Sequence, residues 1–546
     1  YEWHDGILRL ISVLPNGAAA EEGTTSRLGN KDVQVRHAVS NDGSRVVFET
    51  EGVSGRRGLF VRDVSHRETV QLDAPEPAVT PGAEPPVFQS ASTDDSRVFF
   101  TDAARLTKAS TAKATKPDLY VCDVAVVAGR LSCSLHDLSV DHNANEAADV
   151  QGAVIAASDD GRLVYFVANG ALAPGAAHGE CAEVEPLARP AAVSCNLYVR
   201  DLTSETTSLV AVLSNRDSPD WFDGGNSFEG GGSLRHLFAG ASGSGRFLAF
   251  MSSRSLTGYD NRDAHSGERD QEVFLYDSTT HTLTCASCDP TGARPVGVLD
   301  PPASDETTLI AQSLPGWEGQ WLAGSIPGWT PMSQSTALYR SRYLFDSGRL
   351  FFSSPTALVP SDTNAREDVY ESEPNGIGGC TLPSGCVALI SGGASAQESA
   401  FLDASENGDD VFFLTSAKLV SQDLDSAFDV YDAHVCSSEL PCPSGAVSVP
   451  PACSTADSCR AAPAPQPDLF GAPASATFSG AGNVARVPPV KKPVVVTRAQ
   501  KLARALAACK KKSKRKRAAC RASAKKRYGP HRAKKSGHVK NGGRGK

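Results

Sequence analysis

Six times along this chain a short polar turn runs directly into an apolar strand, and that repeat limits the fold more than any other feature. The copies are Ser40-Asn-Asp-Gly-Ser-Arg-Val-Val-Phe48, Ser92-Thr-Asp-Asp-Ser-Arg-Val-Phe-Phe100, Ser158-Asp-Asp-Gly-Arg-Leu-Val-Tyr-Phe166, Ser242-Gly-Ser-Gly-Arg-Phe-Leu-Ala-Phe250, Phe345-Asp-Ser-Gly-Arg-Leu-Phe-Phe352 and Ser405-Glu-Asn-Gly-Asp-Asp-Val-Phe-Phe413. Asp-Gly and Asn-Gly supply the positive φ angles of a tight turn, and the β-branched and aromatic residues after them suit a buried strand.

Each copy is followed by a second strand ending in an acid: Gly58-Leu-Phe-Val-Arg-Asp63, Asp118-Leu-Tyr-Val-Cys-Asp123, Asn196-Leu-Tyr-Val-Arg-Asp201, Glu272-Val-Phe-Leu-Tyr-Asp277, Asp368-Val-Tyr-Glu371 and Asp429-Val-Tyr-Asp432. A polar turn and a Thr/Val/Leu-rich strand usually come next, and in Asp201-Leu-Thr-Ser the carboxylate is placed to fold onto the N–H groups of its turn. Each unit therefore offers about four antiparallel strands. Such a sheet cannot bury both faces alone, and radial stacking of like sheets removes that exposure.

Equivalent turn positions Gly43, Ser96, Gly161, Gly245, Gly348 and Gly408 are 53, 65, 84, 103 and 60 residues apart. Compact blades need ~40–50 residues, so the surplus lies in loops. The largest loops are 211–235, and 296–342 with Trp317, Trp321 and Trp329. Long loops on a rigid scaffold are where function collects.

The repeat resembles the TolB-like and WD-repeat-like β-propellers of exported bacterial proteins, over about residues 1–447. Such propellers act as protein-binding scaffolds, as substrate gates beside hydrolase domains or as polysaccharide-binding modules, so the resemblance implies architecture and leaves activity open. The expected fold is all-β, a propeller of six to seven four-stranded blades, followed by a disordered linker and a short basic α-helical hairpin. The expected segments are 1–35 (outer strands of a preceding or split blade), 36–447 (propeller repeats), 448–497 (Pro/Ala/Gly-rich disordered linker), 498–529 (basic helical hairpin) and 530–546 (disordered basic tail). The opening residues already read as strand, turn and strand, so the given sequence is expected to start inside a fold.

The formal charge of −8 hides two opposed regions. Residues 1–485 carry 31 basic against 62 acidic side chains, whereas 486–546 carry 23 basic side chains and no acid. In the second region Thr497, with Gln500 three residues on, has capping-box spacing before a run of helix formers. Lys510, Lys511, Lys512, Lys514, Arg515, Lys516 and Arg517 follow as a candidate polyanion-binding run, expected to separate two helices. The tail also resembles the basic Cys-bearing hairpins that end other exported bacterial proteins.

The 14 cysteines fall into neighbouring pairs: Cys122 and Cys133, Cys181 and Cys195, Cys285 and Cys288, Cys380 and Cys386, Cys436 and Cys442, Cys453 and Cys459, and Cys509 and Cys520. An even count in close pairs reads as short-loop disulfides formed outside the reducing cytosol. Together with the resemblance above, this makes the bacterial cell envelope or the extracellular space the expected location. Cys285-Ala-Ser-Cys288 has the spacing of a zinc or redox half-site, but it lacks a second Cys-x-x-Cys and is weighed as a structural disulfide. No stretch approaches the ~20 apolar residues of a spanning helix.

Catalytic signatures are missing. There is no Gly-x-Ser-x-Gly elbow for a serine hydrolase and no His-Glu-x-x-His for a zinc hydrolase. Acid-rich loops place Asp260 and Asp263, Asp362, Asn364 and Asp368, and Asp423 and Asp425 at alternating positions. Calcium takes six to eight oxygens, so these are its candidate ligands; the alternative is turn capping without an ion. No other cofactor is expected. The tryptophan insertion either grips a partner or folds over a blade edge.

The leading expectation is therefore a non-enzymatic extracellular or envelope binding scaffold, its loops presented to a protein or glycan and its tail held to an anionic envelope polymer. One alternative is a propeller enzyme acting on sugars or peptides through Asp260, Asp362 and Asp423. The other is nucleic-acid binding by the tail, disfavoured by the export signature.

Overall fold

The structure, a computed structural model, describes residues 1–20, 24–29, 36–51, 57–80, 82, 84–141, 146–183, 190–222, 237–300, 317, 319–327, 329–330, 339–436, 505–510 and 514–528. Tyr1–Ser448 forms one compact unit and Val449–Lys546 a second. The expected linker 448–497 and tail 530–546 lie outside the described residues.

The first unit is a succession of antiparallel meanders. The first sheet runs Arg27–Leu28, Arg45–Glu51, Arg57–Asp63 and Glu68–Gln71. The second runs Val87–Ala91, Arg97–Asp102, Asp118–Val127 and Arg130–Asp137, and the third Val150–Ala157, Leu163–Ala168, Ser194–Asp201 and Thr206–Ser214. The fourth contains Gly240–Ala241, Phe247–Ser252, Asp270–Asp277 and Thr282–Cys285. Among the described residues the fifth (Leu350–Ser354, Asp368–Glu373, Cys386–Leu389) and the sixth (Ser399–Ala404, Asp410–Thr415, Asp429–His434) have three strands each.

The repeated turn explains itself at atomic level. Ser92 Oγ accepts the Arg97 N–H at 3.0 Å and donates to Asp94 at 2.7 Å. Ser158 does the same with Leu163 N–H (3.0 Å) and Asp160 (2.6 Å), and Ser40 with Arg45 N–H (2.9 Å) and Asp42 (2.7 Å). One serine thus closes the turn and starts the strand, which fixes the register.

Each strand after a turn sends alternate side chains to opposite faces. Val98 and Phe100 join Val47, Leu59 and Val61 in a core between the first and second sheets, whereas Phe99 joins Val164 and Phe166 between the second and third. Leu163, Tyr165 and Val167 then meet Leu248 and Phe250 between the third and fourth sheets. Phe247, Ala249 and Met251 continue into a core shared with Phe351, Phe352, Phe401 and Phe413 of the last two sheets. Burying one such ring stabilises by about 1.5–3 kcal/mol, so both faces of the middle sheets are satisfied only by neighbouring sheets.

Hydrogen bonds pass from turn to turn along the same series. Asn41 N–H donates to the Thr93 carbonyl at 2.7 Å, Thr93 N–H to Asp159 at 2.8 Å, and Asp159 N–H to Gly243 at 2.8 Å. Ser244 N–H then donates to the Asp346 carboxylate at 2.9 Å. Arginines span the same junctions, with Arg97 Nη1 on the Asp160 carbonyl (3.0 Å) and Arg349 Nη1 on that of Gly408 (3.1 Å). The approach is close enough to require glycine at Gly245, where φ is +72° and a Cβ would lie 2.7 Å from Ser158 Cβ.

The series bends around an axis. Arg36, ahead of the first repeated turn, donates to carbonyls of Ile155, Gln89 and Val154 on the third and second sheets. Burial, and then the charge of Arg340 from the fifth repeat, lower the pKa of Arg36. The Arg340 guanidinium lies directly against Gly240 of the fourth sheet. Elements far apart in the series therefore meet at its centre, as in a β-propeller.

The expected outer segment 1–35 behaves in two ways. Glu2–His4 and Ile7–Arg9 form a two-stranded hairpin with Trp3 and Leu8 exposed. Arg27–Leu28, by contrast, pairs with Phe48 and Glu49 and belongs to the first sheet. Of the long insertion, Val298–Leu299 and Trp321–Leu322 extend the fourth sheet.

In the second unit residues 505–510 are helical, as is Lys514–Tyr528, and Cys509 is bonded to Cys520. The longer helix begins inside the basic run, so Lys514 to Arg517 form its first turn instead of a separator.

Candidate functional site

A groove of about 1000 Å³ lies between the third and fourth sheets, lined by Arg216, Arg254, Arg262 and Arg269 together with Val210, Val212, Leu256 and Leu283. Its arginines sit on a buried polar frame. Ser214-Asn-Arg-Asp217 opens a short 3-10 turn, in which the Ser214 N–H donates to the Asp217 carboxylate at 2.8 Å and the Arg216 N–H to Ser214 Oγ at 3.1 Å. The same Asp217 accepts Ser252 Oγ (2.7 Å), Ser253 N–H (2.9 Å) and Ser253 Oγ (3.1 Å). One carboxylate thereby ties the segment carrying Arg216 to the segment carrying Arg254.

Asn261 supplies the second tie. Its amide donates to the carbonyls of Ser253 and Asp270, both at 2.8 Å, while its oxygen accepts Arg269 Nη1 at 2.6 Å. Burial pushes the Asp217 carboxyl up, against the donors gathered on it, and it pushes up Asp220 beside it. Asp220 accepts the N–H groups of Met251 and Ala239. The capping-box spacing of Ser214 and Asp217 was legible in the sequence, but nothing there showed that the turn would be buried.

The charges of the four arginines are not equally committed. Arg262 is held by Asp260, whose carboxylate also takes Arg294 Nε at 2.8 Å. These guanidinium hydrogen bonds hold Asp260 well below the usual carboxylate range. No carboxylate among the described residues pairs with Arg216, Arg254 or Arg269.

The remaining loop acids are mostly taken by protein donors. Asp263 accepts N–H groups of His265, Ser266 and Gly297; burial works to raise it and these donors outweigh that, so it lies below its ordinary value. Asp362 takes the Tyr370 hydroxyl and the Asn364 N–H, and Asp368 takes Asn364 Nδ2 and Ser391 Oγ. Asp423 accepts Tyr431 OH at 2.6 Å, and its oxygens approach those of Asp425 and Asp429 within 4.8 Å. In the first two loops these carboxylates thus meet donors of their own turns and neighbouring strands, the contacts that turn capping calls for. Asp260, Asp362 and Asp423, the carboxylates weighed for acid–base chemistry, are each held inside their own repeat.

A tyrosine pin links these loops to their strands. Tyr370 OH accepts the Leu358 N–H and Tyr431 OH that of Leu419, both at 3.3 Å, while Tyr198 OH accepts the Leu172 N–H at 3.0 Å and donates to the Gly170 carbonyl at 2.8 Å. Tyr120 OH sits 2.7 Å from Ser110 Oγ and accepts the Leu106 N–H. The acid eight residues before Tyr370 and Tyr431 is therefore a structural acceptor.

Of the tryptophans weighed as contact residues, Trp317 is buried against Phe238, ring centroids 5.4 Å apart, and covers the core. Trp321 is half-buried in its strand, and the side chain of Trp329 lies outside the described residues. Cys285 and Cys288 are bonded to each other, as are Cys122 and Cys133, Cys181 and Cys195, and Cys380 and Cys386. Cys436 is disulfide-bonded; Cys442, Cys453 and Cys459 lie outside the described residues. Glu272 beside Cys285 and Cys288 completes a possible ligand triad by distance, but the bonded sulfurs leave it no thiolate. In the second unit Lys510, Lys516 and Arg517 are exposed, whereas Lys511 and Lys512, with the side chains of Lys514 and Arg515, lie outside the described residues.

No protein-family profile and no curated protein matches this chain. Three solved structures similar to it are TolB from Acinetobacter baumannii, an oligogalacturonate lyase from Vibrio parahaemolyticus and the β-propeller domain of the trilobed protease from Pyrococcus furiosus. The TolB structure is 10% identical, covers 72% of this chain and 67% of its own, and has a TM-score of 0.23. For the lyase the values are 10%, 76%, 92% and 0.24, and for the protease domain 7%, 72%, 77% and 0.25. At such scores these likenesses say nothing about activity, and the propeller arrangement of this chain rests on its own turn series, its two-faced cores and the meeting of Arg36, Arg340 and Gly240 at the centre.

Proposed function

We propose that the protein is an exported, non-enzymatic binding scaffold of the bacterial cell envelope, in which the propeller presents its surface to a partner and the basic tail attaches to an anionic polymer. The observation that carries this reading is the division of charge: 23 basic and no acidic side chains from residue 486 onward, against 31 basic and 62 acidic before it. Lys516, Arg517, Arg521, Lys525, Lys526 and Arg527 are all exposed on one helix. Multiple cationic contacts bind a polyanion strongly and release it with salt, without reading its sequence.

The disulfides support an oxidising compartment, and with it an envelope polymer over nucleic acid as the tail's partner. No helix among the described residues is long and apolar enough to cross a membrane. The test is fractionation of isolated envelopes. Moderate salt releases the full-length protein, and a form lacking residues 498–546 is found free; a truncated form that stays bound overturns the attachment.

A further inference from the structure

The groove between the third and fourth sheets has the features of a built anion site, and we infer that it binds an acidic peptide segment carrying aliphatic side chains. This deepens the scaffold reading by naming the partner class, and it rests on that reading for the propeller being the partner-binding part.

The first ground is charge. Residues 1–485 carry twice as many acids as bases, so most of this unit repels an anion. Yet in one groove of about 1000 Å³ Arg216, Arg254 and Arg269 stand with Glu268 as the one carboxylate among the described residues that line it. Arg262 is set apart by its pairing with Asp260 at 2.8 Å. Guanidinium groups present forked donors that match carboxylates, and are strongest when a bidentate pair forms.

The second ground is preorganisation. Exposed arginines usually sample many rotamers, and ordering them on binding is costly. Here the backbone beneath two of them is fixed by Asp217, which is fully buried and takes four donors from Ser214, Ser252 and Ser253. Asn261, 1% exposed, fixes the third by its bond to Arg269 and by its two bonds to the chain at Ser253 and Asp270. The Arg216 carbonyl is held again by Gln320 Nε2 at 2.9 Å. Buried polar groups that converge on the supports of three cations are what a positioned site requires.

The third ground selects peptide over glycan. Sugar rings are held by aromatic platforms and by acceptors for their hydroxyl groups, and among its described lining residues the groove offers no aromatic side chain and a single carboxylate. It offers instead the aliphatic surface of Val210, Val212, Leu256 and Leu283 between its arginines. That alternation of cation and aliphatic surface complements a chain in which Asp or Glu is interleaved with Val or Leu.

The test uses the full-length protein and a peptide of alternating Glu and Leu that carries one benzophenone group, at near-physiological salt, with cross-links mapped by mass spectrometry. Mapping separates the groove from the basic tail, which attracts the same peptide. The expected result is cross-linking at residues 191–192, 210–216 and 253–256 that falls at least tenfold in the Arg216→Glu, Arg269→Glu double variant, while cross-links to the tail are unchanged. A Gln and Leu peptide leaves no groove cross-links. Near-UV circular dichroism verifies the fold of the variant, and Arg216→Gln, Arg269→Gln takes its place if charge reversal disturbs it.

Three results overturn the inference: cross-links confined to the tail, groove cross-links indifferent to the substitutions, or a sulfated oligosaccharide that displaces the peptide from the groove at a tenth of the peptide's own concentration. The scaffold reading fails separately, through envelope fractionation, because deleting residues 498–546 leaves the groove intact.

Discussion

The propeller unit and the basic tail use the same cationic side chain in opposite ways. In the propeller an arginine is a tie between particular groups: Arg97 joins one turn to the next through the Asp160 carbonyl, and Arg36 reaches carbonyls of two further sheets. In the tail the cations repeat without any acidic side chain in the surrounding 61 residues, so their charge is not balanced locally along the chain. The lesson is that net charge describes the tail and misleads about the propeller. There, what matters is which guanidinium groups the fold leaves without a carboxylate.

The same contrast governs stability, because the propeller is held by apolar area between sheets while the second unit has a short clipped helix pair. The largest expected effect is therefore Phe166→Ala. Phe166 is fully buried between the second and third sheets, 5.8 Å from the Tyr198 ring, and its truncation should cost about 3–5 kcal/mol in denaturant unfolding. A loss below about 1 kcal/mol would mean that the middle sheets do not depend on each other, which breaks the comparison at its base.

Disulfide removal comes next. Replacing Cys181 and Cys195 by Ala opens a loop of 14 residues and is expected to cost about 3 kcal/mol, read as a lowered Tm of the propeller. The equivalent replacement of Cys509 and Cys520 should reduce far-ultraviolet helicity while leaving that Tm unchanged. If the propeller transition shifts with the tail clip, the two units are not energetically separate.

A smaller effect concerns pH. Burial pushes the Asp95 carboxyl up to about 8, with the Arg45 charge opposing it, and burial raises Asp270 to about 7. A carboxyl with its folded pKa raised costs nothing below the unfolded value near 4, because both states are then protonated. Stability is lost as pH rises from there through the folded value. The propeller should accordingly be more stable at pH 5 than at pH 8, and Asp95→Asn should recover about 2 kcal/mol at pH 8 with little change at pH 4. The tail, which has no carboxyl side chain, should show no such dependence in its helicity over this range.

The smallest effect tests the arginine ties. Arg97→Ala removes a bond to the next turn and a partly exposed pair with Asp123 (3.2 Å), and is expected to cost about 1 kcal/mol. Lys516→Ala in the tail should leave stability unchanged and weaken polyanion binding by one charge.

Much of the scaffold was legible from residues alone, because its rules are local. A serine, an acid and a glycine within six positions define a turn, and alternation after the turn defines two buried faces. Neighbouring cysteines such as Cys380 and Cys386 likewise need only chain proximity. The functional reading was harder for the same reason. In a linear reading Asp362 and Asp423 stand only among other loop acids, and the hydroxyls that reach them, those of Tyr370 and Tyr431 eight residues later, come from the folded strand. Trp317 looks like a contact residue until Phe238, 79 positions earlier, is found against its ring.

By itself the sequence determined the repeating sheets, the paired cysteines and the separation of charge, since each is set by neighbours within a few residues or by composition. Tertiary structure decided which arginines stay without a carboxylate among the described residues. Arg216, Arg254 and Arg269 come from three separate stretches and meet only because Asp217 and Asn261 are buried where those stretches cross. Burial of a polar group depends on everything packed around it, and no local pattern encodes that.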